Sequence, residues 1–189
     1  MKKPVKREWL LFLVQLPATP SSPRVALWRR LRSAGSTSLI NGAWVLPNGK
    51  EHVDLLAELS ETVRSQGGSA MVFVSAALPS RDNKMILALF RRDRCQEYVE
   101  FHQRTETFLA EVANETRLEK FTFAELEELE DDLQKLSTWL ERIRARDFFA
   151  GEEARKANKT LKSCTAALGG FAQKVYVREG VSAQPGNKA

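Results

Sequence analysis

Two histidines and two cysteines are all that this 189-residue chain provides, and their placement limits the chemistry open to it. Catalysis needs convergent groups. His52 and His102 form neither an HxxxH nor an HxxE pair, and His52 with Asp54 is a poor metal pair at that spacing. No metal site and no cofactor is expected. Cys95 and Cys164 are far apart, fall in helical patterns and lack a CxxC partner, so they read as reduced thiols of a cytoplasmic protein and not as a disulfide framework. Phosphate-binding and nucleophile motifs are missing as well. Gly35-Ser-Thr-Ser has no lysine and no preceding strand, Gly169-Gly170 lies inside a helical pattern, and no GxSxG occurs. The chain therefore reads as a non-enzyme. Long hydrophobic runs are also lacking. The most continuous one, Trp9-Leu-Leu-Phe-Leu-Val-Gln-Leu, is interrupted by Gln15 and falls far short of the about 20 apolar residues that cross a bilayer. Lys2, Lys3, Lys6 and Arg7 before it imitate an export signal, but no small-x-small cleavage site follows cleanly, so the run is read as a first strand. No membrane partner is expected, and the Asn-x-Thr triplets at Asn114 and Asn158 then carry no glycosylation meaning.

The hydrophobic share of 43% and charged share of 28% are those of a globular chain able to bury a core. The net charge of +5 is unevenly spread: residues 1–79 carry ten Lys/Arg against five Asp/Glu, and residues 80–189 carry nineteen of each. A basic front half suits a polyanion such as nucleic acid. The acidic run Glu125 to Asp132 lies on a helix whose inward positions are leucines, and it reads as a solvated helix start favoured by the positive end of the dipole.

Patterning divides the chain into two parts. Trp9 to Leu16 suits a strand buried on both faces, closed by Pro17 and the Thr19-Pro-Ser-Ser-Pro23 punctuation. Ser22 as N-cap with Pro23 in the first position opens a helix over Arg24 to Ala34, with Leu27, Trp28 and Leu31 inward, and Gly35 ends it. Thr37–Ile40 and Ala43–Leu46 are strands joined by Asn41-Gly42, a strong tight-hairpin signal. Val53, Leu56, Leu59 and Val63 mark a helix from about Glu51 to Ser65, stopped by Gly67-Gly68, and Ala70 to Ser75 is a fourth strand. The order βαββαβ predicts a ferredoxin-like α+β module over residues 1–80.

Residues 81–179 read as an all-α helical extension, with a flexible tail over 180–189. Its first helix begins near Asn83, breaks around Arg94 and carries the stripe Tyr98, Phe101, Thr105, Phe108, Leu109 and Val112. Thr122 with Glu125 forms a capping-box pair, and Phe121 with Leu126 a hydrophobic staple. Leu126, Leu129, Leu133, Leu136, Leu140 and Ile143 make one seam, and Ala157, Leu161, Cys164, Leu168, Phe171 and Val175 another. Two seams joined by the short Asp147–Gly151 connection predict an antiparallel helical hairpin inside a three-helix unit, with a dimeric coiled coil as the competing arrangement.

The candidate binding residues are basic. Arg24, Arg29, Arg30 and Arg32 lie on the first helix, Lys2, Lys3, Lys6 and Arg7 precede the first strand, and Arg91, Arg92 and Arg94 form a second cluster. Arginine forks suit phosphate because two parallel charge-assisted bonds match its geometry, and such binding depends strongly on salt. A solvated face laced with surface ion pairs has the same sequence signature. Trp28 and Trp44 are read as core residues more readily than as stacking platforms for bases.

The run Trp9-Leu-Leu-Phe-Leu-Val-Gln-Leu-Pro, the helix Arg24-Val-Ala-Leu-Trp-Arg-Arg-Leu-Arg with Gly35, and Ala43-Trp-Val-Leu-Pro47 resemble the N-terminal domain of the ChrB chromate-resistance family. Gly67-Gly68, Leu89-Phe90, Arg94 and Ile143-Arg-Ala-Arg-Asp-Phe-Phe149 extend the resemblance over nearly the whole chain. It implies transcriptional regulation of chromate-efflux genes, with chromate as the cue. The front half is also similar to the Cas2-like central domain of the PaaX regulators. Nucleases of that type place a metal-binding Asp at the end of the first strand, where this chain has Gln15, a neutral amide that cannot replace an anionic magnesium ligand. ChrB proteins continue into a second domain of comparable size, and any sensing or chemistry housed there lies outside this chain.

Three roles follow. The first is a DNA-binding regulator whose basic face grips phosphates, helped by homodimerisation. The second is a protein-interaction or stress-accessory module that acts through the helical hairpin without DNA. The third is direct chromate binding, for which Cys95 beside Arg92 and Arg94 is the nearest thiol, although one thiol without a resolving partner is a poor reductant.

Overall fold

The computed structural model describes residues 8–76 and 80–180. In chain order they form β1 (Trp9–Gln15), α1 (Ser22–Ser33), β2 (Thr37–Ile40), β3 (Ala43–Pro47), α2 (Lys50–Ser65), β4 (Ser69–Ser75), α3 (Ser80–Arg117), α4 (Phe123–Ala145) and α5 (Glu152–Arg178). The strands make one antiparallel sheet in the order β2-β3-β1-β4. This is the α+β arrangement expected from the βαββαβ order, with a helical C-terminal part.

The apolar continuity of β1 has a direct cause. Alternate side chains of a strand face opposite sides of the sheet, and here both sides are covered. Leu10 and Phe12 pack with Leu31 of α1, Leu46 of β3 and Leu56, Leu59 and Val63 of α2. Trp9 faces the other way, into a cluster with Val45, Ile86 and Phe90. Asn41-Gly42 makes the tight turn: Gly42 has φ +74°, and a Cβ there would stand 2.7 Å from the Val14 carbonyl oxygen. Val14 N donates to that glycine's carbonyl at 2.7 Å, tying the hairpin tip to the end of β1.

The chain separates into two compact units. One runs through Arg94 and takes in Ala145–Phe149; the other comprises Cys95–Arg144 and the residues from Ala150 on. The division thus falls inside α3, where the sequence reading placed a boundary at residue 80. The expected break around Arg94 is absent, because α3 is one helix of 38 residues. No glycine or proline occurs between Ser80 and Arg117 to interrupt the backbone ladder.

In the first unit the segment 145–149, which overlaps the Asp147–Gly151 stretch read from sequence as a hairpin connection, supplies core aromatics. Phe148 and Phe149 pack against the Trp9–Phe90 cluster. Gly35 makes room for this segment, since a Cβ there would lie 2.6 Å from Arg146 Cβ and 2.9 Å from the Phe148 ring, at φ +81°. Gly35→Ala combines a left-handed backbone with that overlap, and is expected to destabilise by roughly 2–4 kcal/mol. The midpoint of urea unfolding checks this; a midpoint equal to wild type would mean that the segment yields freely.

The second unit is an up-down-up three-helix bundle. Phe101 of α3 meets Trp139 late in α4, with ring centroids 5.8 Å apart, and Phe123 at the start of α4 meets Tyr176 late in α5 at 6.0 Å. Thr105 of α3 lies beside Cys164 of α5. Both leucine-rich seams are consumed in this core. Leu126, Leu129, Leu136, Leu140, Ile143, Ala157, Cys164, Leu168, Phe171 and Val175 are buried in one cluster with the stripe of α3. The cap of α4 forms as expected on one side, with Glu125 N donating to Thr122 Oγ1 at 3.3 Å. The Glu125 carboxylate faces Lys120 at 3.6 Å. Of the predicted tail over 180–189, all but Gly180 lies outside the described residues.

Candidate nucleic-acid interface

Helix α1 starts one residue earlier than the sequence suggested, with Ser21 at the N-cap and no side-chain capping bond, while Pro23 sits in the first turn as expected. Leu31 is fully buried, and Leu27, one turn before it, lies partly buried against the same cluster. Trp28 is not inward. At about 100° per residue it falls on the flank of the Leu27–Leu31 stripe, and 52% of its surface is exposed. Val25 is exposed too, so the outer side of α1 presents Arg24, Val25, Trp28 and Arg29.

The four arginines of α1 have different fates. Arg24 and Arg29 are exposed and make no ion pair among the described residues. Arg30 Nη2 donates to Glu58 Oε2 of α2 at 2.9 Å, and both side chains stay wet. That bond holds the Glu58 carboxyl below the usual carboxylate range and raises Arg30 in turn. Arg32 Nη1 donates to Asp93 Oδ2 of α3 at 2.6 Å. Asp93 is a buried hub: Thr37 Oγ1 of β2 donates to the same oxygen at 3.0 Å, and Arg92 Nη2 to the other at 3.3 Å. One carboxylate therefore joins the α1 cluster to the α3 cluster.

Of the α3 cluster, Arg91 and Arg92 are exposed, whereas Arg94 keeps only 3% of its surface and cannot meet a phosphate from that position. Lys2, Lys3, Lys6 and Arg7 lie outside the described residues. Sequence reasoning missed Asp93, because it stands inside the basic run Arg91-Arg92-Asp93-Arg94 and was averaged away by its neighbours. It also missed the groove beside α1. Arg24, Leu27, Trp28 and Leu31 of α1, Gly42 and Trp44 from the hairpin, and Val14 and Leu16 line a depression of about 230 Å³. Two indoles and a guanidinium among apolar side chains can hold a flat, electron-rich ring by stacking and cation–π contact.

Elsewhere the reactive side chains serve the fold. His52 Nδ1 lies 2.8 Å from the Pro47 carbonyl oxygen, and its ring sits edge-on to Phe148. Cys164 is fully buried, and burial pushes its thiol above the ordinary range. Cys95 is exposed. Glu111 is raised by desolvation and by the nearby carboxylates of Asp132, Glu128, Glu115 and Glu125. Among the described residues no three His, Cys, Asp or Glu side chains are grouped to hold a metal ion, and no helix is long and apolar enough to cross a membrane. Gln15 ends β1, exposed.

Two comparisons bear on this geometry. The family model described as "Protein ChrB, N-terminal" matches residues 24–182, which takes in α1, the hairpin, the Asp93 hub and the whole helical unit. Protein ChrB of Cupriavidus metallidurans is 26% identical over 160 residues, covering 85% of this chain and 46% of that protein. The chain thus spans about half the length of this curated relative. With α1 and α3, the two helices that carry the exposed arginines, inside the matched region, the chain belongs to the ChrB N-terminal family.

Proposed function

We propose that this chain is a DNA-binding regulator of the ChrB type, acting in chromate resistance, and that α1 is the element that meets the duplex. The carrying observation is that Arg24 and Arg29 are exposed and outside any ion pair among the described residues, on either side of a half-exposed Trp28. Guanidinium groups without a carboxylate partner are ready to take phosphate oxygens, and each phosphate neutralised releases counterion. Arg91 and Arg92 add charge. Arg30 can exchange Glu58 for phosphate at little cost, because an exposed pair contributes only about 0–1 kcal/mol. The role proposed is binding without catalysis, with chromate as the cue. A homodimer would present two such faces to one operator. The hairpin-mediated alternative is less favoured, since both seams are spent inside the chain's own core.

Fluorescence anisotropy with duplex DNA from upstream of the gene, across a salt series, tests the reading. Arg24→Glu with Arg29→Glu is expected to weaken binding about 100-fold at low salt and to flatten the plot of log affinity against log salt by about two. Both residues are exposed, so helix content should be unchanged. If the double variant binds with wild-type affinity and slope, α1 is not the interface.

A further inference from the structure

The edge of the sheet opposite β2 carries a surface the proposed function leaves unused. β4 pairs with β1 alone in the sheet, and on its outer side the Ala70 carbonyl accepts from Arg64 Nη2 of α2 at 3.2 Å. Edge strands are ordinarily blunted by charge, proline, bulges or brevity. The strand itself has none of these: Ser69-Ala-Met-Val-Phe-Val-Ser75 is seven residues without a charge or proline, in unbroken register with β1. Arg64 of α2 brings a charge to one end of the edge, and its half-exposed side chain has to yield the Ala70 carbonyl for a further strand to pair there. Its large side chains are also exposed, Met71 by 54%, Val72 by 37%, Phe73 by 46% and Val74 by 62%.

We infer that β4 is a homodimerisation edge, pairing antiparallel with β4 of a second copy about a two-fold axis through Val72. The argument for a second copy is self-complementarity, which a two-fold interface requires. Around Val72 the strand is nearly symmetric in chemistry, so the pairing sets Ser69 against Ser75, Ala70 against Val74, and Met71 against Phe73. No charge meets a like charge, and on the face opposite α1 and α2 the thioether is set beside the ring, a favourable contact. On that face Leu11 and Leu13 of β1 stand in register with Phe73 and Met71. Pairing extends their apolar row across the axis into an eight-stranded sheet. The four exposed side chains offer roughly a few hundred Å² per copy, below the about 800 Å² of a standard interface. The dimer is therefore expected to be reversible and concentration-dependent. The inference does not rest on DNA binding, and its test contains no DNA.

Light scattering of the full chain over a micromolar concentration series should show mass rising from 21.3 kDa to twice that value. Met71→Lys with Val74→Lys, at the two most exposed positions, should raise the dissociation constant by about 100-fold or more through like charges on the edge, with the circular dichroism of the monomer unchanged. Register is read by oxidative cross-linking in a Cys95→Ser background. Val72→Cys faces its own copy and should link. Val74→Cys faces Ala70, leaving its own mate ~13 Å away and out of disulfide reach. A mass of one chain at every concentration, a dimer untouched by the two lysines, or equal linking of both cysteine variants would each overturn the inference.

Discussion

Asp93→Ala is expected to destabilise the first unit by about 3 kcal/mol while strengthening DNA binding at low salt by several-fold. The first effect follows from what the carboxylate satisfies. Its side chain is 7% exposed and takes hydrogen bonds from Arg32, Thr37 and Arg92. Removing one partner of a buried pair costs about 3–5 kcal/mol, because the remaining charge is left uncompensated in a poor solvent. Arg32 is 30% exposed, so water recovers part of that loss and the lower end applies. The fully buried Thr37 hydroxyl loses its acceptor as well. The second effect follows from charge. Without Asp93, Arg32 and Arg92 lose the anion that holds them, and the face presented by α1 and α3 becomes more positive. Urea unfolding and the anisotropy titration read the two effects separately. Wild-type stability would show that Asp93 is no hub, and weaker DNA binding by folded protein would count against the basic face as the interface.

The opposed signs of those effects show how a fold-stabilising ion pair and a binding surface share residues. Of the seven described candidate arginines, Arg24, Arg29 and Arg91 are exposed and unbridged, Arg30, Arg32 and Arg92 reach carboxylates, and Arg94 is buried. Counting arginines in the sequence overstates the charge a duplex would meet, since three of the six that are not buried have an anion within reach.

Local patterning made most of the fold legible. The Asn-Gly turn, the continuous apolar run of β1 and the spacing of three and four along α4 and α5 each reflect forces acting within a few residues, and each of these elements stands where its signal lay. Four features were not legible because they depend on distant partners. The 145–149 segment looked like a connection; its two phenylalanines are core residues only because Trp9 and Phe90 meet them. Trp28 looked buried because its neighbours Leu27 and Leu31 turn inward, yet it falls on the flank of their stripe and stays half exposed. Arg94 looked like a member of a surface cluster, and its burial is set by tertiary packing that charge cannot announce. The groove at Arg24, Trp28 and Trp44 combines residues from α1 and β3, and periodicity within α1 could not have brought Trp44 to it.

The packing that escaped the sequence also carries the largest expected loss of stability. Trp9 is 2% exposed; its ring stacks on Phe90 at 5.8 Å and 13°, meets Phe149 edge-on at 6.0 Å, and its Nε1 donates to Asn83 Oδ1 at 3.0 Å. Truncation to alanine removes the transfer energy of a buried indole and leaves a cavity that a β1 held from both sides cannot close, so Trp9→Ala is expected to cost about 4 kcal/mol. Trp9→Phe retains a ring against Phe90 and gives up the Asn83 bond, for about 1–2 kcal/mol. Helical signal is dominated by the second unit, and the two units need not unfold together. The measurement is therefore native-state amide exchange at Leu10–Val14 of β1 and Trp44–Leu46 of β3, whose protection should fall in the order wild type, Trp9→Phe, Trp9→Ala. Amides of α4 and α5 belong to a core without Trp9 and serve as the internal reference. Equal protection of β1 in Trp9→Ala and wild type would mean that α2 and α1 hold the sheet without the aromatic cluster.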